Sequence, residues 1–468
     1  MPDNTDYAWI LPAVEDRSRA EEWLTRIRLV VASHVPSDEL SGLITANLEL
    51  SCRDCHGQTI YNQWVSGAHS LGVQNVHFMT MYNGTNVTGS QSPLTRYAVH
   101  RDYGRVPLRP DSNQPYYGPG FKLDFPDSAG NCATCHLPTS AIENPYDSDP
   151  NEAADVDAQG SHCDFCHKIA AVKLDPITGQ PYENMPGIMS IELMRPSPEQ
   201  QLFLGPYDDV DVGPDTFLPL MKQSEICAPC HQASFWGVPI YQSFAEWQAS
   251  SYPAEGKTCQ SCHMKSDGVV TNFAPGRGGM ERAPDTIPTH SFPGVADETL
   301  LQNTAEMTVT VEREGDHLSV EANVTNTEGG HHIPTDSPLR QIFLIVTVTD
   351  EQGWLLPLQT GPVLPDWAGD LAGKPGVYFA KILEQLWTEI APTGAYWTQT
   401  RLLEDTRLPA RATNSSQYVF IVPRDGEITV EAQLIFRRAY YELMQQKGWN
   451  IPDILMERTT LVVPPASD

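Results

Sequence analysis

The 468-residue sequence has no run of about 18 consecutive apolar residues, so no segment is long enough to span a membrane as a helix. Basic residues are also scarce: 30 Lys and Arg stand against 59 Asp and Glu, for a formal net charge of −29. This balance excludes the basic surface that nucleic acid requires and disfavours docking on anionic lipid. Apolar residues still make up 40% of the chain, which excludes wholesale disorder. The length predicts two or more hydrophobic cores.

Cysteine is absent outside five copies of one motif, C-x-x-C-H. The copies are Cys52–His56, Cys132–His136, Cys163–His167, Cys227–His231 and Cys259–His263. The spacing lets two sulfurs form thioethers on one edge of a porphyrin, while the His that follows binds the iron. Disulfides would not need a His after each second Cys, and zinc ribbons do not explain five His at five places. The sequence therefore predicts five covalently bound c-type haems.

Fifteen motif residues are the predicted attachment and proximal iron-binding sites. The predicted thioether residues are Cys52, Cys55, Cys132, Cys135, Cys163, Cys166, Cys227, Cys230, Cys259 and Cys262. The predicted proximal iron ligands are His56, His136, His167, His231 and His263.

Covalent haem is attached outside the cytoplasmic membrane, so we expect an exported protein, periplasmic or extracellular. Residues 1–15 lack the basic and apolar regions of a signal peptide. Two explanations stay open: the sequence is a mature form, with or without an added Met, or an upstream anchor has been lost.

Three regions are predicted along the chain: residues 1–50, 51–295 and 296–468. Residues 1–50 contain a helix from Ser18 to His34, with Glu21 completing a capping box and Pro36 ending the helix. Residues 51–295 carry all five motifs and little chain per haem, so the porphyrins themselves should form much of the interior. The 39 Pro and 33 Gly indicate loops and few long helices.

Two further expectations concern the haem region. The second and third motifs, and the fourth and fifth, follow each other closely in sequence, so we expect stacked pairs of haems. Acidic residues cluster at 147–157 and 208–215. These stretches match an EF-hand loop poorly and are interpreted as solvated loops, with calcium binding left open.

Residues 296–468 show the period-two alternation of β-strands. Met307–Val311 and Leu318–Val324 flank a Gly315-Asp316 turn and predict a β-hairpin. The other predicted elements are strands at 342–348, 418–422, 427–436 and 459–463, and a short helix at 438–446. The predicted fold class is α+β: a haem-packed, loop-rich region with short helices, followed by an antiparallel β-sandwich.

The sequence resembles the multihaem c-type cytochromes that carry a C-terminal β domain, over nearly its whole length. The segments that carry the resemblance are Trp64–His69, His162–Lys168, Gly256–Met264, Thr289–Gly294 and Gly330–Thr335. The resemblance implies that His outside the motifs bind the far faces of the irons. The matching residues are His69, His162, His290 and His331.

The fifth distal ligand stays open among three candidates. His34 leads because it falls on the apolar stripe of the predicted N-terminal helix, and His332 and His77 are the alternatives. His317 follows the Gly315-Asp316 turn and is expected to face solvent. His162 directly precedes its own haem motif, so it would more naturally serve a neighbouring haem. Ligation by His331 would pin the β domain onto the haem region.

Three function classes follow from these predictions. The leading one is a non-enzymatic electron carrier, in which irons with His on both faces pass electrons between redox proteins. Within it, monomer and filament of stacked copies both stay open. The second is a haem oxidoreductase with one open iron that reduces a small nitrogen or sulfur oxyanion. Pentahaem nitrite reductases have a similar haem count, but their C-x-x-C-K motif is absent here. The third is a docking scaffold with structural haems.

Overall fold

The computed structural model describes residues 52–194, 203–210 and 215–466. The predicted N-terminal segment 1–50, with its helix at 18–34 and the candidate ligand His34, lies outside these residues.

The α-helices of the described chain are short, and several are a single turn. They span Cys52–Val65 (α1), Val76–Asn83 (α2), Phe121–Asp124 (α3), Ala133–His136 (α4), Cys163–Cys166 (α5), Ala228–His231 (α6), Ser243–Gln248 (α7), Cys259–His263 (α8), Glu298–Gln302 (α9) and Tyr441–Lys447 (α10). The first of them bends at Gly57, where a φ of 80° requires the conformational freedom of glycine. None of the described helices is long and apolar enough to cross a membrane.

Eight short strands form small two-stranded sheets. They are Tyr97–His100 (β1) with Gly104–Pro107 (β2), Ile169–Val172 (β3) with Ile191–Leu193 (β4), Phe203–Gly205 (β5) with Asp215–Phe217 (β6), and Ala233–Phe235 (β7) with Val238–Tyr241 (β8). The β5–β6 pair is parallel.

Nine further strands build two larger antiparallel sheets. They are Ala305–Glu314 (β9), His317–Asn326 (β10), Gln341–Thr349 (β11), Leu358–Thr360 (β12), Gly376–Gln385 (β13), Thr400–Asp405 (β14), Thr413–Ile421 (β15), Ile428–Arg437 (β16) and Ile454–Val463 (β17). One sheet has the order β12-β15-β10-β9 and the other the order β14-β13-β11-β16-β17.

The two larger sheets share one apolar core. Alternate residues of β10, such as Leu318 and Val320, pack with alternate residues of β11, such as Leu344 and Val346. The predicted hairpin is confirmed, since β9 and β10 pair from Glu314↔His317 outward. The α+β fold class with a β-sandwich-like C-terminal region is likewise confirmed.

The contacts between residues divide the chain into two compact units that interleave in sequence. The motif unit holds Asp127–Ala233, Ala254–Pro293 and the described residues up to Met79. The sandwich unit holds Thr80–Pro126, Ser234–Pro253 and the residues from Gly294 onward. The division into 51–295 and 296–468 stays a prediction about which segments fold independently.

Candidate functional site

All five C-x-x-C-H motifs lie in the motif unit, at or in short helices. Helical geometry explains why this spacing suits one porphyrin. Residues at positions i, i+3 and i+4 share one face of a helix, so the two sulfurs and the imidazole of each motif point the same way. The helices that carry the motifs are α1, α4, α5, α6 and α8. All ten cysteines are free thiols, so none is spent in a disulfide.

Three of the five predicted proximal imidazoles are oriented by backbone carbonyls. Nδ1 of His56 lies 2.8 Å from the carbonyl oxygen of Phe273. Nδ1 of His167 lies 2.7 Å from the oxygen of Leu204, and Nδ1 of His263 lies 2.8 Å from the oxygen of Pro293. Because a carbonyl only accepts, Nδ1 must carry the proton, which leaves the lone pair on Nε2. This is the tautomer in which a haem ligand binds iron through Nε2.

Two predicted distal ligands lie next to two predicted proximal ones at a separation compatible with a shared iron. The ring centroids of His69 and His231 are 6.2 Å apart, and those of His167 and His290 are 6.4 Å apart. Two imidazoles that bind one metal ion from opposite sides, each at about 2 Å, have their centroids about 6 Å apart. The two ring pairs differ in orientation, with interplanar angles of 77° and 27°.

Burial keeps these distal imidazoles neutral. Desolvation, together with the neighbouring His231 and His263, lowers the pKa of His69 to about 4. Desolvation likewise lowers the pKa of His290 to about 3. The neutral form is the one that binds a metal. Nδ1 of His69 is buried and has no hydrogen-bond partner, as expected of a ring placed for a group that the protein chain itself does not supply.

Aromatic rings line the space around these histidines. Phe292 meets His69 edge-on, with ring centroids 4.7 Å apart. Phe78 stacks on His136 at 4.0 Å, with the rings 4° from parallel. Desolvation lowers the pKa of His136 to about 4. His167 is half-buried, and desolvation lowers its pKa.

Cysteines of different motifs touch one another. The thiol of Cys52 is hydrogen-bonded to that of Cys163, and the thiol of Cys135 to that of Cys230. The thiols of Cys227 and Cys259 form a third such pair. These contacts join the first motif to the third and the fourth to both the second and the fifth. Stacking of the second and third haems, and of the fourth and fifth, stays a prediction.

His162 is engaged by the protein in a different way. It is buried at the N-terminus of α5, where its Nδ1 accepts the N–H of Phe165 at 3.3 Å. Its Nε2 lies 3.3 Å from Oγ1 of Thr139. In this arrangement His162 caps the helix that carries the third motif. Iron ligation by His162 stays a prediction, and it would require the ring to leave these contacts.

His331 and His332 lie in the sandwich unit, in the loop that follows β10. Nδ1 of His331 donates to the carbonyl oxygen of His332 at 2.8 Å, so His331 adopts the same tautomer as the proximal ligands. The ring of His332 instead approaches a carboxylate, with Nδ1 3.7 Å from Oε1 of Glu246. Burial lowers the pKa of His332.

Three further histidines lie outside these sites. His77 is half-buried in α2. His317 is half-exposed beside the hairpin turn, where its Nδ1 lies 3.0 Å from Asp316, in keeping with the predicted solvent-facing position. His100 is exposed and packs against Tyr103 with ring centroids 4.9 Å apart.

The donor set fits haem better than a bare metal ion. Across the described chain, no group of three or more His, Cys, Asp or Glu side chains converges to hold an ion. Two opposed imidazoles are enough for a haem, because the porphyrin supplies the other four nitrogens. Of the acidic stretches, Asp149 binds Asn151 locally and Asp209 forms a two-pronged ion pair with Arg282.

Sequence reasoning missed the groups that orient the proximal rings. These groups are backbone carbonyls at positions 204, 273 and 293, and a backbone acceptor leaves no trace in residue type. Phe292 was part of a segment already noted, Thr289–Gly294, but its contact with His69 could not be deduced from the motif. A carbonyl or ring partner of this kind is assigned only when the fold brings distant segments together.

Comparisons with known proteins find similarity among solved structures. No protein-family model and no curated protein matches the sequence. The crystal structure of a pentahaem cytochrome c552 from Thermochromatium tepidum is similar, with a TM-score of 0.58 and 20% identity. The match covers 88% of this chain and 97% of that chain.

Two further solved structures match about a third of the chain. PapD-like domain 7 of human CEP192 matches at a TM-score of 0.15 and 9% identity, over 36% of this chain and 89% of that one. The human F-spondin reeler domain matches at 0.15 and 11%, over 34% of this chain and 88% of that one. These two scores are too low to establish a shared fold. The similarity to the pentahaem structure shows that the chain has a multihaem cytochrome-like fold.

Proposed function

We propose that the protein is an exported electron-transfer cytochrome that carries five covalently bound haems and passes electrons between redox partners. The ten motif cysteines hold the porphyrins, and the five motif histidines bind the irons from one side. The haem iron supplies reversible one-electron chemistry when bound. The chain supplies the axial ligands, their tautomers and the exclusion of water.

The two opposed imidazole pairs are the observation that carries this proposal. His69 with His231, and His167 with His290, leave room for an iron and no room for a substrate between them. An iron bound by His on both faces is coordinatively saturated, which suits electron transfer and not substrate binding. For His331 and His162, distal ligation is part of the proposal and rests on the family resemblance.

The thiol contacts between motifs support a continuous path. They connect the first motif to the third and the fourth to the second and the fifth. Cys166 of the third motif lies near enough to Cys227 and Cys230 of the fourth to raise the pKa of both. Attachment sites that are this close place the edges of neighbouring porphyrins together. We infer that the network branches at the fourth haem.

Charge suggests the class of partner. The net charge of −29 favours redox proteins or acceptors with basic surfaces, and the haem propionates add further negative charge. Stacking of copies into an extracellular filament is the extended form of the proposal. Electron microscopy of the secreted protein at low and high concentration distinguishes monomers from filaments.

Haem counting and spectroscopy of the secreted full-length protein test the proposal. We expect a mass that corresponds to five attached haems and an electron paramagnetic resonance spectrum of low-spin ferric iron. His69→Ala and His290→Ala should each convert one haem to the high-spin form, whereas His317→Ala, a half-exposed control, should change nothing. A high-spin haem in the wild-type protein would contradict the carrier and favour the oxidoreductase.

A further inference from the structure

A buried ionic network surrounds the loop that carries His331. At its centre is Glu246, on α7, whose side chain is 5% exposed. Its Oε1 accepts Nη1 of Arg407 at 2.6 Å, and its Oε2 accepts the hydroxyl of Thr335 at 2.6 Å and the backbone N–H of His332 at 3.2 Å. One carboxylate thus holds two points of the loop and is itself held by a buried guanidinium.

Arg407 is in turn fixed by further partners. Its Nε and Nη2 each donate to Asp405 at 2.8 Å, and Nη2 also approaches Oε1 of Gln242 at 3.4 Å. Lys381 donates to the same Gln242 oxygen at 2.6 Å. Arg407, which holds Glu246, is therefore itself anchored by Asp405 at the end of β14 and by Gln242 at the N-cap of α7.

The loop is also tied to the sandwich on its other side. Asn326, which is fully buried, donates Nδ2 to the carbonyl of His331 at 2.9 Å and to that of Leu408 at 3.1 Å. Ile333 and Leu408 exchange both backbone hydrogen bonds, at 3.0 and 2.9 Å. The backbone on both sides of His331 is consequently fixed.

A relay leads from Glu246 to the His331 ring. Glu246 holds the backbone N–H of His332, and the carbonyl of the same residue accepts Nδ1–H of His331. The carboxylate therefore fixes the backbone that fixes the imidazole and its tautomer. A buried ion pair is weak evidence for stability, because apolar residues of similar volume often stabilise a fold equally well. Its better-attested role is to select one arrangement of the surrounding chain.

We propose that Glu246 is a positioning residue that holds His331 in the orientation and tautomer required of a distal haem ligand. The inference rests on the proposed function, since it requires His331 to bind an iron. Groups beyond the ligands that orient a metal-binding His typically change metal affinity by about 10- to 100-fold. Loss of the relay should therefore loosen the bond between His331 and iron without removing the ligand.

Carbon monoxide binding to the reduced, full-length holoprotein is a direct probe, because the gas enters only where a distal ligand leaves. In His331→Gly we expect one of the five haems to bind carbon monoxide at once, and added imidazole should reverse this. In Glu246→Gln we expect carbon monoxide to bind at that haem about 10-fold faster than in wild type. Thr335→Val, which keeps the ion pair and removes one tether, should act in the same direction and more weakly.

Glu384→Gln is the matched control. Glu384 lies in the same unit and accepts Nε of Arg401 at 2.5 Å, but it does not belong to the network. If Glu246→Gln lowers the melting temperature and leaves carbon monoxide binding as in wild type, Glu246 has only a structural role and the inference is overturned. If Glu246→Gln does not fold, Thr335→Val decides by the same readout.

The His331→Gly result separates this inference from the proposed function. Unchanged carbon monoxide binding in that variant would show that His331 is not a ligand, and the inference would fall. The electron-carrier proposal would still be decided by the haem count and the His69 and His290 variants.

Discussion

In the sandwich unit, side chains alone fill the interior. Alternate residues of β9, β10, β11, β15 and β16 form one apolar core, and the outward residues Phe343 and Ile345 of β11 join a second. In the motif unit, the apolar cluster around Ala133, Phe165 and Leu204 is smaller, and most of the motif cysteines and histidines are only half-buried. The sandwich unit therefore fills its interior through strand patterning, whereas the motif unit, on the proposed function, fills its interior with covalently bound haem.

Preventing haem attachment is the first test of this difference between the units, and it has the largest expected effect. In a full-length chain made without haem attachment, the motif unit should fail to fold, because its interior lacks the porphyrins that fill it. The sandwich unit should keep its core. Limited proteolysis followed by mass spectrometry should yield a protected fragment that contains residues 305–463, and circular dichroism should retain a β-type transition.

The control for that experiment is the same chain with haem attached, which should resist digestion in both units. Protection of the motif unit in the haem-free chain would contradict the cofactor-filled interior.

The sandwich unit also shows how far sequence reasoning reached. The strands predicted at 342–348, 427–436 and 459–463 are found as β11, β16 and β17. Alternation made β16 and β17 visible, whereas β11 is a nearly continuous run of apolar, largely β-branched residues that is buried on both faces. β13, with the sequence GVYFAKILEQ, was missed because it is buried on both faces over much of its length and contains Lys381, so no alternation appears. The helix predicted at 438–446 begins three residues late, at Tyr441, because the Tyr440 backbone is extended and its hydroxyl donates to the Lys381 carbonyl.

The motif unit was predicted differently, through chemistry instead of periodicity. Covalent attachment requires two Cys and a His at fixed spacing, so fifteen residues could be assigned from the sequence alone. Pairing of distal with proximal ligands could not be assigned, because His69 and His231 lie far apart in the chain. The interleaving of the two units was equally hidden, since Thr80–Pro126 and Ser234–Pro253 have no strand pattern of the sandwich type.

Core truncation is the second test. Leu344→Ala, at a fully buried position of β11, should lower the free energy of unfolding of the sandwich unit by about 2–5 kcal/mol. Leu204→Ala, fully buried in the motif unit, is the matched variant and should cost less, because covalent porphyrins hold the surrounding chain. Chemical denaturation followed by tryptophan fluorescence and by haem absorbance reports the two losses. Equal losses would argue that both units depend on side-chain packing to the same degree.

Lys447 provides the third test, through a buried amine in the sandwich unit. Its Nζ donates to the carbonyls of Thr80 at 2.9 Å and Thr85 at 3.1 Å, and to that of Pro119. Lys447→Met leaves these carbonyls without their donor and should cost about 2 kcal/mol at pH 10. Lys374→Met, at an exposed position, should cost nothing measurable.

The cost of Lys447→Met should depend on pH. Burial lowers the pKa of Lys447 from 10.5 to about 7, so between these values the unfolded chain binds a proton that the folded chain does not. Wild-type stability relative to the variant therefore falls as the pH drops from 10.5 to about 7, by about 1.4 kcal/mol per unit at most. Urea titrations of both proteins at pH 7, 8.5 and 10 measure the slope, and a flat difference would show that the ammonium is not desolvated.

The smallest expected effect comes from two Arg→Lys changes, one in each unit. Arg282 in the motif unit binds Asp209 through two nitrogens and lies over Tyr207, 4.0 Å from the ring centroid. Arg282→Lys loses this planar geometry, and Arg401→Lys loses the corresponding bond to Glu384. Each should cost about 1 kcal/mol or less, because both pairs are partly exposed.

The two substitutions should differ in whether they change a haem reduction potential. Arg282 also lies 5.4 Å from the ring of Phe273, whose carbonyl accepts Nδ1–H of His56. A shift of that segment changes the hydrogen bond to a proximal ligand, so Arg282→Lys should alter the reduction potential of one haem in a spectroelectrochemical titration. Arg401→Lys should leave all five potentials unchanged. Identical titrations for the two variants would show that the Arg282 contact influences the haems no more than the Arg401 contact does. The two units would then not differ in how their polar contacts affect the haems.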